Sequence, residues 1–387
     1  MVWQRFSSAG SRSCFRPRSC RGARRSCSPA SLTTPVQCMI DVAECPGRDA
    51  PGGAPHLIVT MARSRQPARS RSVGKPRIGF IGLGTMGRPM ALRLLEAGYE
   101  VMVSDRRPEA TRALEAVGAI AMPTPLLVAD RADVLMSCLP TDNELFEVYI
   151  GPEGALEHLR PGAIVIDFST ATPMMIQRIA ADAALRQIQV VDAPVCGGPV
   201  EAQQGRLTLI VGAEPAVFEQ VLSILQVLGQ EIHLVGGPGM GKVIKLVHNL
   251  IAGSALVLIG EALTLAANAG ADLHKVFEVV RSSSGDWQLW NEVVPELLRP
   301  PTPVANFRLD LMKKDLELAV RLGADLGSPV PLTALSHQFY VAASAQGMGQ
   351  APAHEVARII ARLGNAHLER AAPLLDLAAD GGQGDGA

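Results

Sequence analysis

The segment Lys75-Pro-Arg-Ile-Gly-Phe-Ile81 is a short apolar run that passes directly into Gly82-Leu83-Gly84-Thr85-Met86-Gly87. An amphipathic stretch follows from Arg88 to Glu96, then Gly98 as a stop, then a second apolar run from Glu100 to Ser104 that ends on Asp105. Three glycines at this spacing are weak evidence alone. Preceded by a strand, followed by a helix and closed by an acid at the end of the next strand, they predict a dinucleotide site. The glycines allow a tight turn and bring a pyrophosphate close to backbone amides at a helix N-terminus, where the helix dipole favours negative charge. Asp105 is placed to bind the adenosine ribose hydroxyls, which favours NAD. Arg106 and Arg107 follow it and offer cations to the 2′-phosphate of NADP, so NADP is the alternative cofactor.

The alternation of strand and helix continues. Ala132–Leu139, Ala163–Phe168 and Ile188–Asp192 read as further strands, ending on Pro140, on Ser169-Thr170 and on Asp192. Ligands of an open parallel sheet bind outside the carboxyl ends of its strands, so Leu139-Pro140 and Ser169-Thr170 are expected to flank the inner half of the cofactor. As ordinary loop caps they would need no such role. Asp192-Ala-Pro-Val-Cys196-Gly197-Gly198 then breaks the pattern, and its backbone amides could form an anion nest for a carboxylate. The plainer reading is a turn before the strand Leu207–Val211. After Gly237 strand-like runs end and helical periodicity holds from Gly241 to about Leu368. The expected fold class is α/β, a Rossmann-type doubly wound parallel sheet over 75–237, followed by an all-helical C-terminal domain over 238–370.

The second segment opens on Gly239-Met-Gly-Lys-Val-Ile-Lys245-Leu-Val-His248-Asn249. Helical spacing puts Gly241, Lys245, His248 and Asn249 on one face of an otherwise apolar helix. Only six of the 36 basic residues are lysines (Lys75, Lys242, Lys245, Lys275, Lys313, Lys314), and four of those lie here or in Met312-Lys-Lys-Asp315. Arginine cannot give up its proton, whereas a desolvated lysine can. A helix N-terminus and an oxidised nicotinamide beside Lys245 would both lower its pKa, which suits a general acid/base, with His248 or Asn249 orienting the substrate oxygen.

A chain of 387 residues with 48% hydrophobic and 19% charged residues suits two globular domains plus tails. A formal charge of −1 gives no electrostatic case for nucleic acid as a partner. The run from Leu250 to Gly260 is interrupted by Glu261 and reads as a buried helix rather than a membrane span of ~20 residues. Five of the seven cysteines lie in the first 45 residues without a CxxC pair, leaving Cys138 and Cys196 in the fold, so no metal is expected. Residues 1 to about 74 are rich in Arg, Ser, Pro and Gly, and the tail from 371 in Gly and Asp; neither is expected to fold. The leading stretch either resembles a mitochondrial presequence, which would place the chain in the matrix, or precedes a true start at Met61. The second is preferred, with a cytoplasmic location, and a chain beginning at Met61 is then expected to keep its fold and activity.

Gly82–Gly87, Asp192–Gly198, Gly239–Asn249 and Leu311-Met-Lys-Lys314-Asp315, in that order, resemble the β-hydroxyacid dehydrogenase family, which includes 3-hydroxyisobutyrate dehydrogenases and tartronate semialdehyde reductases. The resemblance spans about residues 75 to 370. It implies NAD(P)-dependent hydride transfer between the nicotinamide and a short 3-hydroxy acid or its semialdehyde, in a homodimer or homotetramer. It also implies that Lys245 is the catalytic acid/base, that Thr170 and Lys314 touch the cofactor, and that Cys196, Gly197 and Gly198 hold the substrate carboxylate. Cys196 stands where serine is usual, His248 where asparagine is usual, and Glu201 where glycine is frequent, which leaves the substrate open. The alternatives are an imine reductase on a related scaffold, against which Lys245 argues, and a catalytically silent nucleotide-binding module.

Overall fold

The structure, a computed structural model, describes residues 74–301 and 305–370. The expectations for residues 1–73 and 371–387 lie outside the described residues.

Nine strands form one sheet: β1 Ile78–Ile81, β2 Val101–Ser104, β3 Ile120–Ala121, β4 Val134–Ser137, β5 Ile164–Asp167, β6 Gln189–Asp192, β7 Val195–Cys196, β8 Leu207–Gly212 and β9 Gly229–Gly236. The first six run parallel in the order β3-β2-β1-β4-β5-β6, the doubly wound order of dinucleotide-binding folds. Their side chains alternate between two cores. Ile78, Phe80, Val134, Met136, Ile164 and Ile166 pack on one face, and Ile81, Leu135 and Val165 on the other. Burial on both faces explains why these strands read as continuous apolar runs rather than as alternating ones.

The sheet differs from the expectation beyond β6. Pro194 interrupts the chain after Ala193, and β7 and β6 both pair antiparallel to β8, while β9 pairs parallel to it. Only the six-residue helix Pro199–Gln204 separates β7 from β8, too short a connection for a parallel crossover. The two-residue β3 and the Gly-Gln-Glu start of β9 carried too little apolar pattern to stand out in the sequence.

Register sets a row of residues across the carboxyl edge. Ser104 pairs with Ile81, Ile81 with Ser137, Ser137 with Asp167, and Asp167 with Asp192. Four of the strands thus end on buried polar side chains on one edge, where the second domain meets the sheet.

The helix Met240–Asn268 carries the chain into an all-helical domain. It is long and apolar enough to cross a membrane by length and composition. Here it packs against the helices Leu309–Asp325, Pro331–Ala343 and Val356–Leu363 and buries Leu256, Val257, Ile259 and Leu263 among them. Trp290 belongs to this core at 4% exposure.

Candidate active site

Gly82 adopts φ +88, and a Cβ there would strike the Cys138 carbonyl; a Cβ on Gly87 would strike the Gly82 carbonyl, which lets the helix Gly87–Glu96 start directly against the turn. A Cβ at Gly84 would meet nothing within 4 Å, and Thr85 beside it is exposed. The turn is therefore open where a diphosphate needs access to backbone amides, and it fits a dinucleotide. Met86 is half-buried at the start of the helix.

Asp105 is tied back to this turn. The Leu83 N–H donates to its Oδ2 at 2.7 Å, and the Arg107 N–H and Nε donate to its Oδ1 at 2.8 and 3.0 Å. Partial burial alone would push the Asp105 carboxyl up; the Arg107 and Leu83 hydrogen bonds outweigh it and hold the carboxyl below its ordinary range. Arg107 Nη2 also donates to the Leu83 carbonyl at 3.2 Å. Arg106 instead pairs with Glu144 and Glu147 on the helix Asp142–Tyr149. The two arginines are adjacent in sequence, and only the direction of the chain after β2 separates their roles.

At the ends of β4 and β5 the loops are cross-linked. The Leu139 N–H donates to Ser169 Oγ at 2.8 Å. Lys314, on the helix Leu309–Asp325, donates to the carbonyls of Pro140 at 3.1 Å and Thr170 at 2.7 Å, and pairs with Asp315 at 3.0 Å. The sequence-designated Leu139, Pro140, Thr170 and Lys314 therefore meet in one place.

The long helix docks on the polar row. Asp192 caps it from a different element: Oδ1 accepts from the Gly239 N–H at 2.8 Å and Oδ2 from the Lys242 N–H at 2.9 Å. A carboxylate at this end satisfies two helix-start amides and complements the dipole. Lys242, fully buried, then reaches Asp167 Oδ2 at 2.7 Å, the Asp167 carbonyl at 3.0 Å and the Ser169 carbonyl at 2.7 Å. Hydroxyls of Ser137 and Ser169 donate to Asp167 Oδ1, each at 2.6 Å, and Tyr149 donates to Ser137 at 2.8 Å. Sequence reasoning gave Lys242 no role beyond its count among the rare lysines, because its partner lies 75 residues away.

One turn on, Lys245 reaches a different partner. It is 8% exposed, and its Nζ donates to Cys196 Sγ at 3.6 Å. The exposed His248 hydrogen-bonds the same sulfur, and its Nδ1 lies 2.8 Å from Asn249 Oδ1. Asn249 Nδ2 donates to Asp315 Oδ2 at 2.6 Å, which continues the chain of contacts to Lys314. Burial by itself would raise the Cys196 thiol, but the His248 hydrogen bond and the Lys245 charge hold it below its ordinary range; the hydrogen bond to Cys196 raises His248 in turn, against the effect of burial. Of the expected carboxylate cradle, Gly197 is exposed and free of such ties, whereas the Gly198 N–H is engaged by Glu201 Oε2 at 2.8 Å. A cavity of about 400 Å³ lies one helical turn further along, between Ala252 and Leu256 on one side and Phe307 and Met312 on the other. Among the described residues no cluster of three or more His, Cys, Asp or Glu could hold a metal ion.

Residues 77–237 match the NAD binding domain of 6-phosphogluconate dehydrogenase, and residues 239–360 match the NAD-binding domain of NADP-dependent 3-hydroxyisobutyrate dehydrogenase. The chain is 35% identical over 274 residues to 2-(hydroxymethyl)glutarate dehydrogenase from Eubacterium barkeri, covering 71% of this chain and 91% of that protein. It is 34% identical to 3-hydroxyisobutyrate dehydrogenase from Pseudomonas aeruginosa, covering 68% and 90%. A solved structure of Mycobacterium tuberculosis 3-hydroxyisobutyrate dehydrogenase with L-serine superposes with a TM-score of 0.67 at 27% identity, over 74% of this chain and 99% of that one. With the open glycine turn, the lysine-bearing helix and relatives matched over nine-tenths of their length, the chain belongs to the β-hydroxyacid dehydrogenase family and is an NAD(P)-dependent oxidoreductase.

Proposed function

We propose that the chain interconverts a short 3-hydroxy acid, 3-hydroxyisobutyrate or a close analogue, and its semialdehyde, with Lys245 as the general acid/base. The observation that carries this is Lys245 itself: a cation nine-tenths buried whose one partner among the described residues is a sulfur. Such a group has donors left for a substrate oxygen. When bound, the nicotinamide would supply the hydride acceptor or donor. In the oxidative direction neutral Lys245 takes the hydroxyl proton as the hydride leaves, and in the reductive direction it returns that proton to the carbonyl oxygen. Asn249, fixed by Asp315, and His248, fixed by Asn249, orient the same oxygen. The Gly197 amide, beside Cys196, faces the acid group; the engagement of Gly198 by Glu201 makes this cradle narrower than one with both amides free. Cofactor absorbance followed across a panel of short hydroxy acids, with NAD and NADP in turn, tests the reading. Activity confined to amines or imines, or absent throughout, would end it.

For the cofactor, the residues from Gly82 to Gly87 hold the diphosphate, Asp105 the ribose, and Leu139, Pro140 and Thr170, braced by Lys314, the inner half. NAD is the preferred form because the carboxylate of Asp105 repels a 2′-phosphate. Asp105→Ala should therefore weaken NAD and favour NADP in relative terms, since it also frees Arg107 from its partner. An unchanged ratio of kcat/KM for the two cofactors would place specificity elsewhere.

The chain acts as a homodimer or homotetramer. Ile251, Leu258 and Leu265 stand 58–74% exposed at seven-residue spacing along one face of the long helix, with Ile244 and Val247 in the same stripe. A straight apolar stripe of this kind fits an antiparallel copy of itself about a two-fold axis. Sedimentation of Leu258→Asp should shift toward the monomer, and an unshifted oligomer would remove this face from the interface. The compartment is the cytoplasm, or the mitochondrial matrix should residues 1–60 serve as a presequence.

A further inference from the structure

Cys196 and Lys245 form a pair that the hydride-transfer chemistry does not use fully. An ammonium carries three donors and a sulfur is a weak acceptor, so the contact at 3.6 Å leaves most of the hydrogen-bonding capacity of Lys245 unspent in a buried place. That capacity calls for an oxygen. Cys196 is half-buried, so its sulfur can be reached from the open side of the site, where His248 is exposed. A carbonyl oxygen bound to Lys245 Nζ sits beside Cys196 Sγ, and productive attack needs its carbon about 3–3.5 Å from the sulfur.

We propose that Cys196 is a nucleophile that captures the aldehyde form of the substrate reversibly as a thiohemiacetal, with Lys245 as the proton donor. This rests on the reading of the chain as a hydroxy acid and semialdehyde enzyme. The thiolate sulfur forms a bond to the carbonyl carbon, the π bond of the carbonyl breaks toward oxygen, and the Lys245 ammonium gives that oxygen a proton. No oxidant or reductant is consumed, and the reverse step releases the aldehyde. The environment of the sulfur supports the attack, since only the thiolate is nucleophilic and the His248 hydrogen bond and Lys245 charge favour it. Captured in this way, a reactive semialdehyde is stored at the site until reduced cofactor arrives.

The test uses the whole chain and 3-oxopropanoate labelled with ¹³C at the aldehyde carbon, without cofactor. The expected result is a carbon resonance distinct from free aldehyde and hydrate, present in the parent and missing in Cys196→Ala. The five cysteines before residue 46 are common to both proteins and so cancel in the comparison. At an aldehyde concentration about ten times its half-saturating value, alkylation of the Cys196 peptide by iodoacetamide should slow about tenfold. Cys138, whose thiol burial pushes up to about 12, should react in neither state. No Cys196-dependent resonance and no protection would overturn the capture. A borohydride-stable adduct on Lys245 would also overturn it, by assigning the aldehyde to an imine. Oxidation of NADH or NADPH by the same aldehyde is read in parallel. Turnover without the adduct overturns the capture and leaves the dehydrogenase reading standing, whereas the adduct without turnover supports the capture and counts against that reading.

Discussion

Lys242→Met should destabilise the protein by about 3–5 kcal/mol, the usual effect of removing one partner from a buried ion pair. For a fold of this size that lowers Tm by roughly 6–20 °C. Methionine nearly fills the volume of the lysine stem, so packing contributes little to the loss. What remains is the Asp167 carboxylate, fully buried, with two serine hydroxyls but no cation, and the Asp167 and Ser169 carbonyls without their donor. Removing both charges distinguishes this cause from a packing defect. Lys242→Met combined with Asp167→Asn should recover much of the lost Tm, because a neutral amide no longer needs a counter-charge there. Thermal melts of the single and double variants decide it, and a double variant no more stable than the single one would mean that the charge is not what matters.

Lys245→Ala is expected to act on the rate instead. Lys245 donates to one sulfur, at 3.6 Å, so its loss breaks little of the fold, and Tm should change far less than for Lys242→Met. Turnover should fall by ~10²–10⁴, the range for lost acid/base catalysis, while NAD affinity stays near that of the parent. Two lysines three residues apart on one helix are thus expected to separate cleanly, one failing by melting and the other by rate. Similar kcat losses at equal Tm for both would show that the helix start works as one unit.

Much of this was legible in the sequence, for identifiable reasons. Strand, glycine turn, helix and acid follow one another locally, so the cofactor turn could be read from Ile78 to Asp105. The helix face carrying Lys245, His248 and Asn249 was legible because helical spacing alone decides it. Long-range pairing was not legible. Asp167 with Lys242, Asp192 with the helix start and Asn249 with Asp315 are 75, 47 and 66 residues apart. Each depends on strand register and on how the second domain meets the sheet. The antiparallel turn through β7 and β8 was hidden for a related reason, since two residues of strand leave no period to detect. Local ambiguity hid which of Arg106 and Arg107 would pair with Asp105, identical side chains whose partners are fixed by the backbone after β2.

The central claim is that Lys245 moves a proton rather than merely holding a charge. Lys245→Arg tests it most directly: the variant keeps the positive charge and much of the reach but cannot deprotonate under working conditions. With Tm and NAD affinity shown to match the parent, single-turnover oxidation of the preferred hydroxy acid by the arginine variant should be nearly as slow as in Lys245→Ala. A rate above about a tenth of the parent, a barrier increase of less than roughly 1.4 kcal/mol, would contradict the claim and pass the proton-transfer role to His248 or a water.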